Sequence, residues 1–122
     1  MTSAMLALRG ATTFEVDERH HVSQRVTELV TEMLGRNDIA HDDLISIIFT
    51  ATGDLTSVFP ATAARELGLG DVPLICAREL DIEGAMARCV RVLMHFNTLR
   101  ARGDLRHVYL HDARALRDDL PA

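Results

Sequence analysis

Residues 45–50 read Ile-Ser-Ile-Ile-Phe-Thr, a short, β-branched and almost uninterrupted apolar run. That composition predicts a strand buried on both faces, because a strand with one wet face alternates apolar and polar residues. Such a strand belongs in a layered fold, with other elements packed against it.

The rest of the chain supplies candidates for those layers. From Arg19 to Leu34, the residues Val22, Val26, Leu29, Val30, Met33 and Leu34 recur at the spacing of one helix face. Asp17 is placed to cap that helix and Gly35 to end it. Met5 to Leu8 predicts a strand that ends at Arg9, and His41-Asp42-Asp43 predicts a short helical turn. Pro60 suits the first turn of a two-turn helix, PATAAREL, closed by Gly68. Val72 to Ala77 fits another strand. Past the acidic stretch Glu79 to Glu83, a second long helix is expected from about Gly84, with Met86, Cys89, Val90, Leu93 and Met94 as its buried stripe. Leu105 to Leu110 alternates like a strand, and Ala113 to Leu116 extends the final connection. The order β-α-β-α-β-α-β points to an α/β or α+β layer in which helices cover one face of a mixed sheet. With 122 residues and no repeat, linker or low-complexity segment, a single domain over residues 1–122 is expected.

Charge and residue usage narrow the chemistry. Thirteen basic against 18 acidic residues give a net charge of -5, the wrong sign for a nonspecific nucleic-acid binder. All 13 basic residues are arginine, so the chain offers no Schiff-base or P-loop lysine. A GC-rich genome accounts for that bias as a whole, and only individual positions argue function. Cys76 and Cys89 lack a CxxC spacing and read as reduced thiols of a cytosolic protein. The opening MTSAMLALRG has no basic n-region and reaches Arg9 after a short apolar stretch, so neither a signal peptide nor a membrane span is expected. A domain of this size leaves much of its surface exposed, which makes a deep site easier to build between subunits than inside one. Oligomerisation is therefore expected.

Most candidate constellations have a plain reading. His20 and His21 are adjacent on a helix and read as solvated surface. His107 and His111 have a helical metal spacing, yet on a strand four residues span ~13 Å. No metal site is expected. Gly68-Leu-Gly70 lacks the third glycine and the preceding strand of a dinucleotide fingerprint, and reads as a helix cap. No GxSxG elbow is present. For Cys76, a buried small residue and a site residue both stay open. The arginines are more informative: Arg9 ends the first predicted strand and Arg91 follows the apolar Val90. A guanidinium is always charged and offers a planar fork suited to carboxylates, which makes a small acidic metabolite a natural partner. The competing reading sets Arg91 on a solvated helix side next to Arg88.

Five segments taken in order sharpen this: LRGATT (Leu8 to Thr13), VFPA (Val58 to Ala61), Arg65-Glu66-Leu67, CVRVLM (Cys89 to Met94) and RHVYL (Arg106 to Leu110). Together they resemble the monofunctional chorismate mutases of the AroH type, colinear from about Met5 to Leu120. The resemblance implies an α+β fold, a mixed β-sheet covered by helices, assembled as a homotrimer with a pseudo-α/β-barrel core and sites at the subunit interfaces. It implies conversion of chorismate to prephenate by an intramolecular Claisen rearrangement in shikimate-derived phenylalanine and tyrosine biosynthesis, with no cofactor. By position, Arg91 matches the arginine that reaches the ether oxygen. Glu79 and Cys76 match the residues that address the ring hydroxyl, and Arg9 and Tyr109 those that grip the side-chain carboxylate. Phe59, Ala61 and Leu74 match apolar lining; Arg65, Leu116 and Arg117 match the mouth. Two departures stand out. Thr62 occupies a position where relatives can carry a lysine near the entrance, and the sequence stops five residues after Arg117, where longer relatives have a mobile tail. Two other classes compete: a non-catalytic trimeric binder of an acidic metabolite, against which the presence of both Arg91 and Glu79 speaks, and an enamine or imine deaminase, whose motifs the quoted segments do not resemble.

Overall fold

The structure, a computed structural model, describes residues 2–117, except that the side chain of Arg117 lies outside the description. Its elements are β1 (Ala4–Thr13), α1 (Arg19–Arg36), β2 (Leu44–Ala51), α2 (Pro60–Ala64) continued by a π turn (Arg65–Leu69), β3 (Leu74–Arg78), β4 (Cys89–Thr98) and β5 (Val108–Tyr109), with 3-10 turns at His41–Asp43, Arg102–Asp104 and His111–Arg117. The strands form one mixed sheet in the order β3-β2-β4-β1-β5. β4 runs antiparallel to both of its neighbours, while β2 with β3 and β1 with β5 are parallel pairs. The class is α+β, as the resemblance implies.

Helices cover one face of this sheet. Val22, Val26, Leu29, Val30 and Met33 of α1 are buried, the stripe read from the sequence. Leu8, Ile47, Phe49, Val90, Met94 and Phe96 meet that layer with no exposed surface. Each such side chain contributes about 1.5–3 kcal/mol by leaving water. At Gly10 the helix approaches so closely that a Cβ would lie 2.4 Å from the sulfur of Met33. The glycine lets α1 sit directly on β1.

The sequence reading needs correction at β4. The helix expected from Gly84 is absent, and Cys89–Thr98 is the central strand, so Arg91 stands on a strand. Val90, Val92, Met94 and Phe96 alternate toward the helices while Cys89, Arg91 and Leu93 face the other way. Because both faces carry apolar residues, the helical and the alternating template match the same letters, and pairing on both edges decides for the strand. The order is thus β-α-β-α-β-β-β. β1 does not stop at Arg9 but continues to Thr13, where Thr12 and Thr13 pair with Val90 and Cys89. α1 is capped by the Glu18 side chain, which accepts from the His20 amide, and it passes Gly35 to end at Arg36. In the segment from Leu105 to Leu110 only Val108–Tyr109 is strand.

The opposite sheet face is covered at one end alone. There the His111–Arg117 turn lays Ala113 and Leu116 over Ala11 and Cys89. Beyond it, Met5 and Ile75 are 59% and 62% exposed, and Ile48 is half-buried. The run at residues 45–50, apolar on both faces, is buried on just one of them within a single chain.

Candidate active site

Arg91 rises from the middle of β4 on the open face, level with Ala11 of β1 and Thr50 of β2. Glu79 follows the end of β3, where its amide donates to the Ala51 carbonyl at 3.0 Å and so prolongs the strand pairing by one residue. That bond aims the carboxylate back across the sheet. The Arg91 Nε donates at 3.2 Å to both Glu79 oxygens, and the Thr50 hydroxyl donates to Oε2 at 2.8 Å. The Glu79 side chain is only 17% exposed. The pair thus joins a largely buried carboxylate to an exposed guanidinium, whose two terminal amino groups have no partner among the described residues.

Those free donors border a hollow of about 370 Å³ that is also lined by Arg9, Thr50, Tyr109 and Leu116. Parallel pairing sets Tyr109 beside Ala11, and the Arg9 amide donates to His107 Nδ1 at 2.9 Å, which ties β5 to β1 at the arginine. Two guanidinium groups and a phenol around one open space form a site for an anion, since charge-assisted bonds from arginine forks match carboxylate geometry.

The remaining sequence candidates lie elsewhere in the chain. Cys76 and Leu74 pair with Phe49 and Ile47 and pack with them on the helix side of the sheet. Cys76 borders a second hollow, of about 630 Å³, together with Phe59, Thr62 and Arg78. Phe59 is 71% exposed, Ala61 is buried in the core, and Arg65 is exposed on the π turn. The side chain of Arg117 falls outside the described residues. One chain therefore brings Arg9, Glu79, Arg91, Tyr109 and Leu116 to one sheet face, and Cys76 and Phe59 to the other.

Thr50 and Asp17 make contacts that the sequence did not foretell. Thr50 was legible only as the end of an apolar run. Asp17, expected as a helix cap, instead clamps the loop that carries Phe59: it accepts from the Thr56 amide and hydroxyl at 3.0 and 2.6 Å and from the Ser57 amide at 3.1 Å. The Ser57 and Thr56 hydroxyls and amides gathered around it hold its carboxyl low, at about 2. Burial pushes the Cys89 thiol the other way, up to about 11 against the nearby Arg91 charge, so it stays protonated and is no nucleophile. Among the described residues no three His, Cys, Asp or Glu side chains cluster as metal ligands, and no helix is long and apolar enough to cross a membrane.

Residues 5–120 match the family model described as chorismate mutase type I. Chorismate mutase AroH of Thermus thermophilus is 46% identical over 114 residues, which cover 93% of this chain and 93% of that protein. Chorismate mutase AroH of Bacillus subtilis (strain 168) is 39% identical over 114 residues, covering 93% and 90%. Among solved structures, a chorismate mutase from Clostridium thermocellum superposes with a TM-score of 0.88 at 42% identity, covering 90% of this chain and 98% of that one.

Proposed function

This chain belongs to the chorismate mutase type I family, and we propose that the cluster around Arg91 is the catalytic half of a site that a neighbouring copy completes. The protein is an isomerase that converts chorismate to prephenate, a step of aromatic amino acid biosynthesis.

In the Claisen rearrangement a C–O bond breaks as a C–C bond forms, within one molecule and without proton transfer. Catalysis then rests on holding the compact reactive conformer and on charges fixed where the transition state polarises. The terminal amino groups of Arg91 meet the ether oxygen, where negative charge develops, and an adjacent carboxylate. Glu79 orients Arg91 and favours the positive charge on the ring fragment; with Cys76 it addresses the ring hydroxyl. Arg9 and Tyr109 grip the side-chain carboxylate. Phe59 closes the space, with Ala61 and Leu74 shaping that wall from within their own core, and Arg65, Leu116 and Arg117 form the mouth.

Cys76 and Phe59 cannot meet Arg91 within one chain, because they lie across the sheet from it. A second copy supplies them, and the uncovered apolar face of the sheet provides the area on which copies pack. The assembly we infer is a homotrimer with a barrel-like core of sheets and sites at its interfaces, a single-domain cytoplasmic enzyme. The observation that carries this reading is the Arg91 guanidinium, held through Nε by Glu79 with both terminal nitrogens free beside Arg9 and Tyr109.

The test is to incubate purified protein with chorismate and follow its loss together with prephenate formation. Turnover should survive exhaustive chelation and vary little from about pH 6 to 9, since no metal or general acid-base step is needed. Binding without turnover would mark a sensor of acidic metabolites, and a bell-shaped kcat profile would contradict the mechanism.

A further inference from the structure

Resting on the assignment of Glu79 above, we propose that Thr50 is a positioning residue that keeps the two terminal amino groups of Arg91 free for the substrate. A carboxylate facing a guanidinium favours the bidentate arrangement with two parallel N–H bonds. If Glu79 took the terminal nitrogens in that way, it would occupy the donors that must reach the ether oxygen. In the structure it is held at Nε instead, with equal distances of 3.2 Å to its two oxygens. That symmetric grip leaves the carboxylate free to slide along the guanidinium edge.

What stops it comes from β2. Thr50 lies directly across from Arg91 in the ladder, and its hydroxyl binds Oε2 at 2.8 Å, the shortest bond that the carboxylate makes. The Glu79 backbone is pinned to Ala51, the next residue of the same strand. One strand therefore fixes both ends of the glutamate. The threonine also distinguishes the oxygens: Oε2 accepts from both the hydroxyl and the Arg91 Nε, whereas Oε1 accepts from the Nε alone. Because Thr50 borders the same hollow as Arg91, this bond is made at the wall of the site.

Thr50→Val keeps the β-branched shape and removes the hydroxyl. It should lower kcat about tenfold, the effect of one hydrogen bond to a charged group, with KM within about twofold because Arg9 and Tyr109 are untouched. Thr50→Ser should stay within about threefold of the wild type. In the Glu79→Ala background, adding Thr50→Val should change kcat by less than about twofold, since the group it positions is gone. Thr50→Ala, read in the same two backgrounds, serves if valine disturbs assembly. A crippled Glu79→Ala beside a fully active Thr50→Val would overturn the role of Thr50 and leave the site assignment standing. Equal losses in both backgrounds would reduce Thr50 to a structural residue. Near-normal Glu79→Ala would overturn the site assignment itself, and the inference with it.

Discussion

Arg91 holds Glu79 through Nε and keeps both terminal nitrogens free, an arrangement that needs a guanidinium. Lysine has one nitrogen at the end of a flexible stem and cannot hold Glu79 while reaching two substrate oxygens. Arg91→Lys should therefore be crippled almost as badly as Arg91→Ala, by roughly 3 kcal/mol or more, about two orders of magnitude in kcat. Turnover near the wild-type level would remove Arg91 from its role. Asp17 makes a prediction of a different kind. Its carboxyl sits at about 2, below the ordinary 3.8, so the folded state favours the ionised form. That stabilisation is complete above the ordinary value and is lost as pH falls through about 2. Asp17→Asn should thus lower stability in urea near pH 7 and converge with the wild type as both approach about pH 2. A constant gap across that range would deny the clamp. Both residues show what a sequence can tell at this scale. Arg91 stands out because a charge beside apolar neighbours is conspicuous and Glu79 only through the family resemblance, whereas Thr50 and Asp17 are ordinary letters whose partners lie about 30 to 40 positions away.

At the scale of elements, α1 was legible because its stripe has a single period and one wet face. β4 was not, since Cys89, Arg91 and Leu93 fill the face opposite Val90, Val92 and Met94, leaving little alternation to read. Arg91 was thus recognisable as a candidate while its element was misassigned. The strand places it between Ala11 and Thr50, where a helix would have placed neither. α2 carries Thr62, which the proposed site sets near its entrance. Thr62 borders the hollow shared by Phe59, Cys76 and Arg78. A charge there acts on the dianionic substrate before and during the reaction alike, so it alters capture more than chemistry. Thr62→Lys should lower KM and raise kcat/KM with kcat within about twofold. The gain should shrink with salt, as the Debye length falls from ~10 Å at 0.1 M to ~3 Å at 1 M. A strong change in kcat with KM untouched would show that position 62 does not lie at the mouth.

For the whole molecule, the sequence and the fold point to the same incompleteness. The run at residues 45–50 carries apolar side chains for two faces, yet a single chain buries one of them, and the candidate site residues divide between those faces in the same way. Composition alone cannot reveal this, because it reports how much apolar surface exists and not which copy covers it. The central claim is that the active site needs two chains. Arg91→Ala and Phe59→Asp should each be nearly inactive alone. Co-refolding the two variants together should restore part of the wild-type rate of prephenate formation, because mixed trimers contain interfaces in which both halves are intact. No recovery despite verified mixed assembly would place both residues in one chain's site and contradict the account.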